Sequence, residues 1–325
     1  MPDSPLLGID LGGTNIQCGL VRDGKVVARD DTKTKAAEGP EAVLKRIVKL
    51  TEKVLDEAGV KKGDVGGLGI GAPGAVDIGT GTVINAVNLG WSDFPLARAL
   101  GELVKFPVAV DNDVNVAAWG EYHAGAGRTL RRDDPDLDSL LAIWVGTGVG
   151  GGLVLGGSLF HGARFTAGEI GHTVLRSGGG RGRRTLEDLA GRRNVVALLT
   201  KLIEAGHASA LTEIVGGDYG RVRSKALAAA LAQDDPLTVE QLRAAAVAIG
   251  HAAASTVTLL SLPAVVLGGG VADALGPTFR GWVSDAFRDA VFPLTLRDTH
   301  IVPGELGDDA GVIGAALCVR DRGVR

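Results

Sequence analysis

Four times along this chain a short apolar run ends in glycines: LLGID before Leu11-Gly12-Gly13, the run 65–70 before Gly71 and Gly74, LLAIWV before the turn 146–151, and AVVL before Gly268-Gly269-Gly270. An apolar run of this length bounded by glycine reads as a buried strand with a tight exit. Two of the exits lead at once into a second apolar run, NIQCGLV at 15–21 and GLVL at 152–155, so the unit of strand, glycine turn and strand occurs twice. Such a repeat implies a duplicated α/β core, each half carrying a turn whose main-chain amides can approach a phosphate, with the two turns on opposite walls of a cleft. The 50 glycines among 325 residues gather at such exits and form no low-complexity tract.

The rest of the chain fits around these strands. KVVARD at 25–30 reads as a third strand, and 40–58 as a helix with Val43, Leu44, Ile47, Val48, Val54 and Leu55 on one face. A strand at 106–110 runs into a helix near Asn112, and further helices are expected at 190–205, 221–233, 238–260 and 275–291. A last helix, about 310–319, should pack back on the first half. The expected division is a smaller domain, 1–118 with about 308–325, and a larger one, 119–307.

Charge and cysteine content narrow the function. A net charge of −4 gives no electrostatic reason to expect nucleic acid or an anionic membrane as partner, and a small soluble ligand is the better expectation. Two cysteines, Cys18 and Cys318, in apolar surroundings can build neither a disulfide framework nor a four-ligand metal site, which fits a reducing cytoplasm. No basic segment followed by a long apolar run marks a secretory signal. The stretch 139–163 carries no charged residue, yet seven glycines between Gly146 and Gly157 suit tight turns and not a membrane helix.

Five segments carry chemistry. Asp10-Leu11-Gly12-Gly13-Thr14 puts a carboxylate able to hold magnesium, directly or through water, beside a phosphate-sized turn; a plain hairpin turn has the same look. Gly146-Thr147-Gly148-Val149-Gly150-Gly151 matches the dinucleotide spacing G-x-G-x-x-G, but a strand and not a helix follows it, so a phosphate-gripping hairpin is preferred. No G-x-x-x-x-G-K-[ST] loop is present, which argues against a P-loop kinase. Val110-Asp111-Asn112-Asp113 places carboxylates and an amide where a strand gives way to a helix, a place for a general base or for a helix cap. Glu169, His172 and Glu187, with Asn88 in Asn88-Leu89-Gly90-Trp91, are the side chains a polyhydroxylated ligand needs, since each hydroxyl both donates and accepts.

In this order the motifs GIDLGGT (8–14), GIGAPGAVD (69–77), NLGW (88–91), DNDVNVAAWGE (111–121), VGTGVGGG (145–152), AGEIGH (167–172) and VVLGGGV (265–271) resemble the ROK family of sugar kinases and sugar-responsive repressors, most of all its bacterial glucokinases. The resemblance runs from about residue 6 to 320 and implies an α/β, actin-like (ribonuclease H-like) two-domain ATPase fold. It implies ATP and Mg2+ as cofactors and phosphorylation of glucose at its terminal hydroxyl. Asp10, Gly12, Gly13 and Thr14 match the family's first phosphate loop, and Thr147, Gly148, Gly150 and Gly151 its second. Gly268, Gly269 and Gly270 match the turn beside adenine and ribose. Asp113 matches the catalytic base; Asn88, Asn112, Glu169, His172 and Glu187 match residues that hold the sugar. A homodimer or homotetramer is common in the family.

One departure is large. Where family members commonly carry a C-x-C-G-x-x-G-C zinc motif, this chain has 173–186, without a cysteine. No structural zinc is expected, and the orientation of His172 and Glu187 then needs another support. Arg181, Arg183 and Arg184 make the replacement loop basic, as a solvated surface or as a contact for a polyanionic donor such as polyphosphate. Fructose, mannose and N-acetylmannosamine are alternative sugars. A sugar-sensing repressor is the rival reading, but nine residues before Asp10 leave no room for a helix-turn-helix arm.

Overall fold

The computed structural model describes residues 4–176 and 184–322. Strands β1 (Leu6–Leu11), β2 (Asn15–Arg22) and β3 (Lys25–Lys33) lead into α1 (Pro40–Ala58) and β4 (Gly67–Ala72). Three short strands, β5 (Ala75–Asp77), β6 (Thr82–Ala86) and β7 (Trp91–Phe94), precede α2 (Leu96–Val104), β8 (Val108–Asn112), α3 (Asp113–Ala124) and α4 (Ala126–Asp133). Next come β9 (Leu140–Val145), β10 (Val149–Leu155), β11 (Ser158–Leu159), α5 (Leu186–Ala190), α6 (Arg192–Glu204), α7 (Leu211–Ile214) and α8 (Ser224–Ala232). The chain ends with α9 (Pro236–Leu260), β12 (Ala264–Gly268), α10 (Gly270–Ala290), β13 (His300–Pro303) and α11 (Ala310–Arg322).

The duplication is visible in strand order. One five-stranded sheet runs β3-β2-β1-β4-β8 and the other β11-β10-β9-β12-β13, position for position the same plan. In the first, β1 pairs antiparallel with β2 and parallel with β4, and β4 is parallel to β8. In the second, β12 is parallel to both β9 and β13. The stretch 139–163, free of charge, is therefore strand and turn. An antiparallel sheet β5-β6-β7 is an addition the sequence pattern did not announce, its strands being only three to five residues long.

Two compact units divide the chain: Met1–Asp138 with Gly152–Gly168 and Glu305–Arg325, and Ser139–Gly151 with Glu169–Gly304. Compared with the expected division, α3 and α4 stay with the first unit, and so does the return segment Gly152–Gly168.

Within the first unit, α1 begins on Pro40, whose fixed φ suits a first helical position, and stops at Gly59, where φ is +65°. Its buried face includes Val43, Leu44, Ile47, Val54 and Leu55, as the spacing predicts, whereas Val48 sits at the edge of that face and is only partly buried. α11 lies on β1 and β4 at backbone distance. A Cβ on Gly8 would sit 1.9 Å from the Val312 carbonyl oxygen, and one on Gly69 would sit 1.7 Å from that of Ala315. This approach buries every residue of α11 from Ala310 to Val319 and sets Gly311 against the Asp10 carboxyl. In the second unit, α9 is long and apolar enough by composition to cross a membrane, but 56% of its most apolar stretch is buried inside the protein.

Candidate active site

The expected site residues fall in two groups, one per unit. In the first unit, the turn between β1 and β2 is closed by the Gly12 amide donating to the Asn15 carbonyl at 2.9 Å. Thr34, fully buried, clamps it from outside the motif: its hydroxyl donates to the Gly12 carbonyl at 2.6 Å, and its amide donates to the Thr14 carbonyl at 2.9 Å. Asp10 stands at the end of β1. Burial, reinforced by the Asp308 carboxylate, pushes its carboxyl up to about 6. A hard oxygen donor held near a second acid, at a turn of amides, suits a magnesium ion, which would relieve that repulsion.

Asn88 reaches the same turn. A Cβ on Gly13 would touch the Asn88 side chain at 3.0 Å, and Asn88 lines a shallow pocket with Ala36, Gly39, Pro40 and Trp91. The third element is the junction of β8 and α3. Asn112 caps α3, its side-chain oxygen accepting from the amides of Val114 (2.9 Å) and Asn115 (3.0 Å), while its Nδ2 donates to the Gly74 carbonyl at 3.0 Å. The helix cap expected at this junction is therefore Asn112, tied by its amide group to the Gly74 carbonyl. Asp113 is the first residue of α3, its Oδ1 accepting from the Val114 amide at 2.9 Å. Gly71 lets it come close, since a Cβ there would lie 3.2 Å from the Asp113 Cα.

In the second unit, 146–151 belongs to a hairpin as expected, but its turn is only 146–148: β9 ends at Val145, β10 begins at Val149, and the Gly146 amide donates to the Gly148 carbonyl at 2.9 Å. Glu187, the second residue of α5, presses on this turn. Its Oε2 accepts from the Val149 amide at 3.0 Å, and a Cβ on Gly148 would come within 2.0 Å of that oxygen, so a larger residue there would displace the Glu187 carboxylate. Glu169 and His172 lie on the next stretch, with His172 Nε2 3.9 Å from Glu169 Oε2. Burial raises the Glu169 carboxyl; His172 opposes the shift and the Glu187 carboxylate adds to it, so the three expected sugar residues share one electrostatic neighbourhood.

Glu187 has a support other than a metal. An isolated bridge pairs Val174 with Thr185, and the Leu186 amide donates to the Thr173 carbonyl at 3.0 Å. Thr185 and Asp188 form a capping box that starts α5. His172 is carried by the one-turn 3-10 helix Ile170–His172, which the Thr173 hydroxyl closes by donating to the Ile170 carbonyl at 2.6 Å. Among the described residues no group of three or more His, Cys, Asp or Glu could hold a metal ion. Arg181 and Arg183 lie outside the described residues; the Arg184 amide donates to Asp188 Oδ2 at 3.0 Å.

Arg192 and Ser224 escaped the motif reading. Arg192 donates to the Thr147 hydroxyl at 2.9 Å and to that of Ser224 at 3.4 Å, and its amide donates to the Gly146 carbonyl at 3.1 Å. A Cβ on Gly270 would stand 3.8 Å from the same Ser224 hydroxyl, so Arg192 and Ser224 link the second phosphate turn to the glycine turn 268–270. Burial, with Arg223 nearby, lowers the Arg192 pKa. Gly269 has φ +90° and packs on the end of β9, where a Cβ would meet the Val145 backbone at 2.8 Å. Only the pairing of the Arg-Arg dipeptide with a helix start could have hinted at Arg192.

Comparison with known proteins places this arrangement. The ROK family's sequence pattern matches residues 6–322. A glucokinase of Halalkalibacterium halodurans is 33% identical over 99% of this chain and 97% of its own length. A glucokinase of Thermotoga maritima is 30% identical, covering 99% of both chains. The crystal structure of a ROK family glucokinase from Streptomyces griseus in complex with glucose and AMPPNP superposes with a TM-score of 0.84 at 30% identity, over 98% of this chain and 99% of that one. The fold is the actin-like, two-domain α/β fold that the family resemblance implies, and the duplicated strand plan agrees with it. With the pattern spanning both units and every glycine turn in place, the chain belongs to the ROK family.

Proposed function

We propose that this chain is an ATP-dependent sugar kinase that phosphorylates glucose at its terminal hydroxyl. The observation that carries the reading is the match to the glucose- and AMPPNP-bound Streptomyces griseus enzyme over nearly the whole chain. The first unit then supplies the phosphate turn Gly12-Gly13-Thr14, the sugar contacts Asn88 and Asn112, and the base Asp113. The second supplies Thr147, Gly148, Gly150 and Gly151 for the phosphates, Gly268, Gly269 and Gly270 for the nucleoside, and Glu169, His172 and Glu187 for the sugar hydroxyls. Asp10 would hold Mg2+, which supplies charge neutralisation at the phosphates when bound.

In the reaction, a carboxylate oxygen of Asp113 takes the proton of the sugar hydroxyl as that oxygen attacks the γ-phosphorus in line. The new O–P bond forms, the bond to the bridging oxygen breaks, and ADP leaves. Positioning and charge stabilisation carry most of the rate in such transfers. A cytoplasmic, homodimeric or homotetrameric enzyme completes the proposal. Its test is ADP release across hexoses and amino sugars, repeated with polyphosphate as donor and sugar phosphate as the readout. Glucose with ATP should give the highest kcat/KM; a preference for another sugar, or product with polyphosphate alone, would overturn it.

A further inference from the structure

Two residues before the proposed base lies a carboxylate almost shut off from water. Asp111, at the end of β8, is 1% exposed, and four donors close on it. Its Oδ1 accepts from the Asn112 amide at 2.7 Å and from Asn115 Nδ2 at 3.2 Å. Its Oδ2 accepts from His161 Nε2 at 2.8 Å and from the Arg322 guanidinium, which also donates to the Val110 carbonyl at 2.9 Å. Burial pushes this carboxyl up, but the His161 hydrogen bond and the Arg322 charge outweigh it and keep it below the usual carboxylate range. A carboxylate only accepts, so the His161 Nε2 carries a hydrogen.

The three partners come from three distant stretches of the first unit: the end of β8, the return segment after β11, and the last turn of α11. None belongs to the phosphate or sugar residues assigned above. A buried ion pair is weak as a source of stability, because desolvation offsets most of its attraction. Its distinctive property is geometric. Oδ1 grips the main-chain nitrogen of Asn112, Asn112 caps α3, and α3 opens with Asp113, so the network reaches the base through two bonded residues.

We propose that His161 and Arg322 are positioning residues for phosphoryl transfer, holding Asp111 between them and so fixing the β8–α3 junction that aims the Asp113 carboxylate. The proposal rests on the reading of Asp113 as base. It follows that a donor at position 161 matters more than an imidazole as such: glutamine, whose Nε2 can donate in the same direction, should replace histidine, and alanine should not. Misplacing a catalytic group by about 1 Å costs on the order of a hundredfold in rate.

The test is steady-state kinetics on the full chain for His161→Ala, His161→Gln and Arg322→Met, each assayed well below its melting temperature, with Asp113→Asn in parallel. Expected is a fall of at least tenfold in kcat for His161→Ala and Arg322→Met, with KM for ATP within twofold of the parent and His161→Gln within threefold of the parent kcat. Parent-like kcat in His161→Ala overturns the proposal. So does an equal loss in His161→Gln and His161→Ala accompanied by a raised KM for ATP, which marks general damage to the fold. Near-normal turnover in Asp113→Asn would instead sink the base reading, whereas an inactive Asp113→Asn beside an undisturbed His161→Ala would sink only the positioning role.

Discussion

Replacing Asp10 with asparagine should make the protein more stable while weakening the magnesium binding proposed for it. The carboxyl titrates at about 6 in the folded chain, against 3.8 for a free one, because burial and Asp308 disfavour its charge. At about 1.4 kcal/mol per pH unit, that gap bounds the cost of carrying the charge at about 3 kcal/mol. Asp10 is half-buried, so solvent reduces the figure to about 2 kcal/mol. The sign follows from proton binding. Between about pH 4 and 6 the folded chain holds a proton that the unfolded chain has lost. The penalty is therefore nearly absent below about pH 4 and complete above about pH 7. Urea unfolding without ligand, with EDTA present, should show Asp10→Asn more stable than the parent by about 2 kcal/mol at neutral pH. At about pH 4.5 the difference should shrink to roughly a third. Adding Mg·ATP should raise the melting temperature of the parent and not of the variant. A variant less stable than the parent at neutral pH, or a difference indifferent to pH, would refute the reasoning.

Two further predictions concern parts of the fold that hold the site. Glu121 is fully buried and accepts from the amides of Ala126 (2.8 Å), Glu305 (3.0 Å) and Leu306 (2.8 Å), tying α4 and the approach to α11 onto the end of α3. Glu121→Ala leaves three donors without their acceptor and should lower stability by about 4 kcal/mol in urea unfolding; a loss under about 1 kcal/mol would contradict this role. Purified protein should contain no stoichiometric zinc by metal analysis, since a strand bridge and a capping box stand where a zinc site would support Glu187. One zinc per chain would overturn that expectation.

Much of the plan was legible because it is local. Glycine exits mark the ends of β1, β4, β9 and β12, and the distinction between a hairpin and a dinucleotide turn at 146–151 followed from the strand-like residues after it. The α1 face was legible from its period of 3.6 residues. The short strands β5 to β7 were not, since runs of three to five residues give no period to read. Thr34 was missed because its hold on Gly12 spans 22 residues of sequence, and Arg192 because a charged helix start ordinarily means solvent. Asp111 illustrates the limit best: the motif D-N-D is plain in the sequence, but the partner that defines its first residue, His161, lies 50 residues away.

The central claim is that Asp113 takes the proton of the attacking sugar hydroxyl. Measuring kcat and the sugar Kd for Asp113→Asn decides it most directly, because the substitution keeps shape and removes the base. The account predicts a fall in kcat of at least about a thousandfold, near the upper range of general-base contributions, with sugar binding still measurable. Turnover within tenfold of the parent would contradict it.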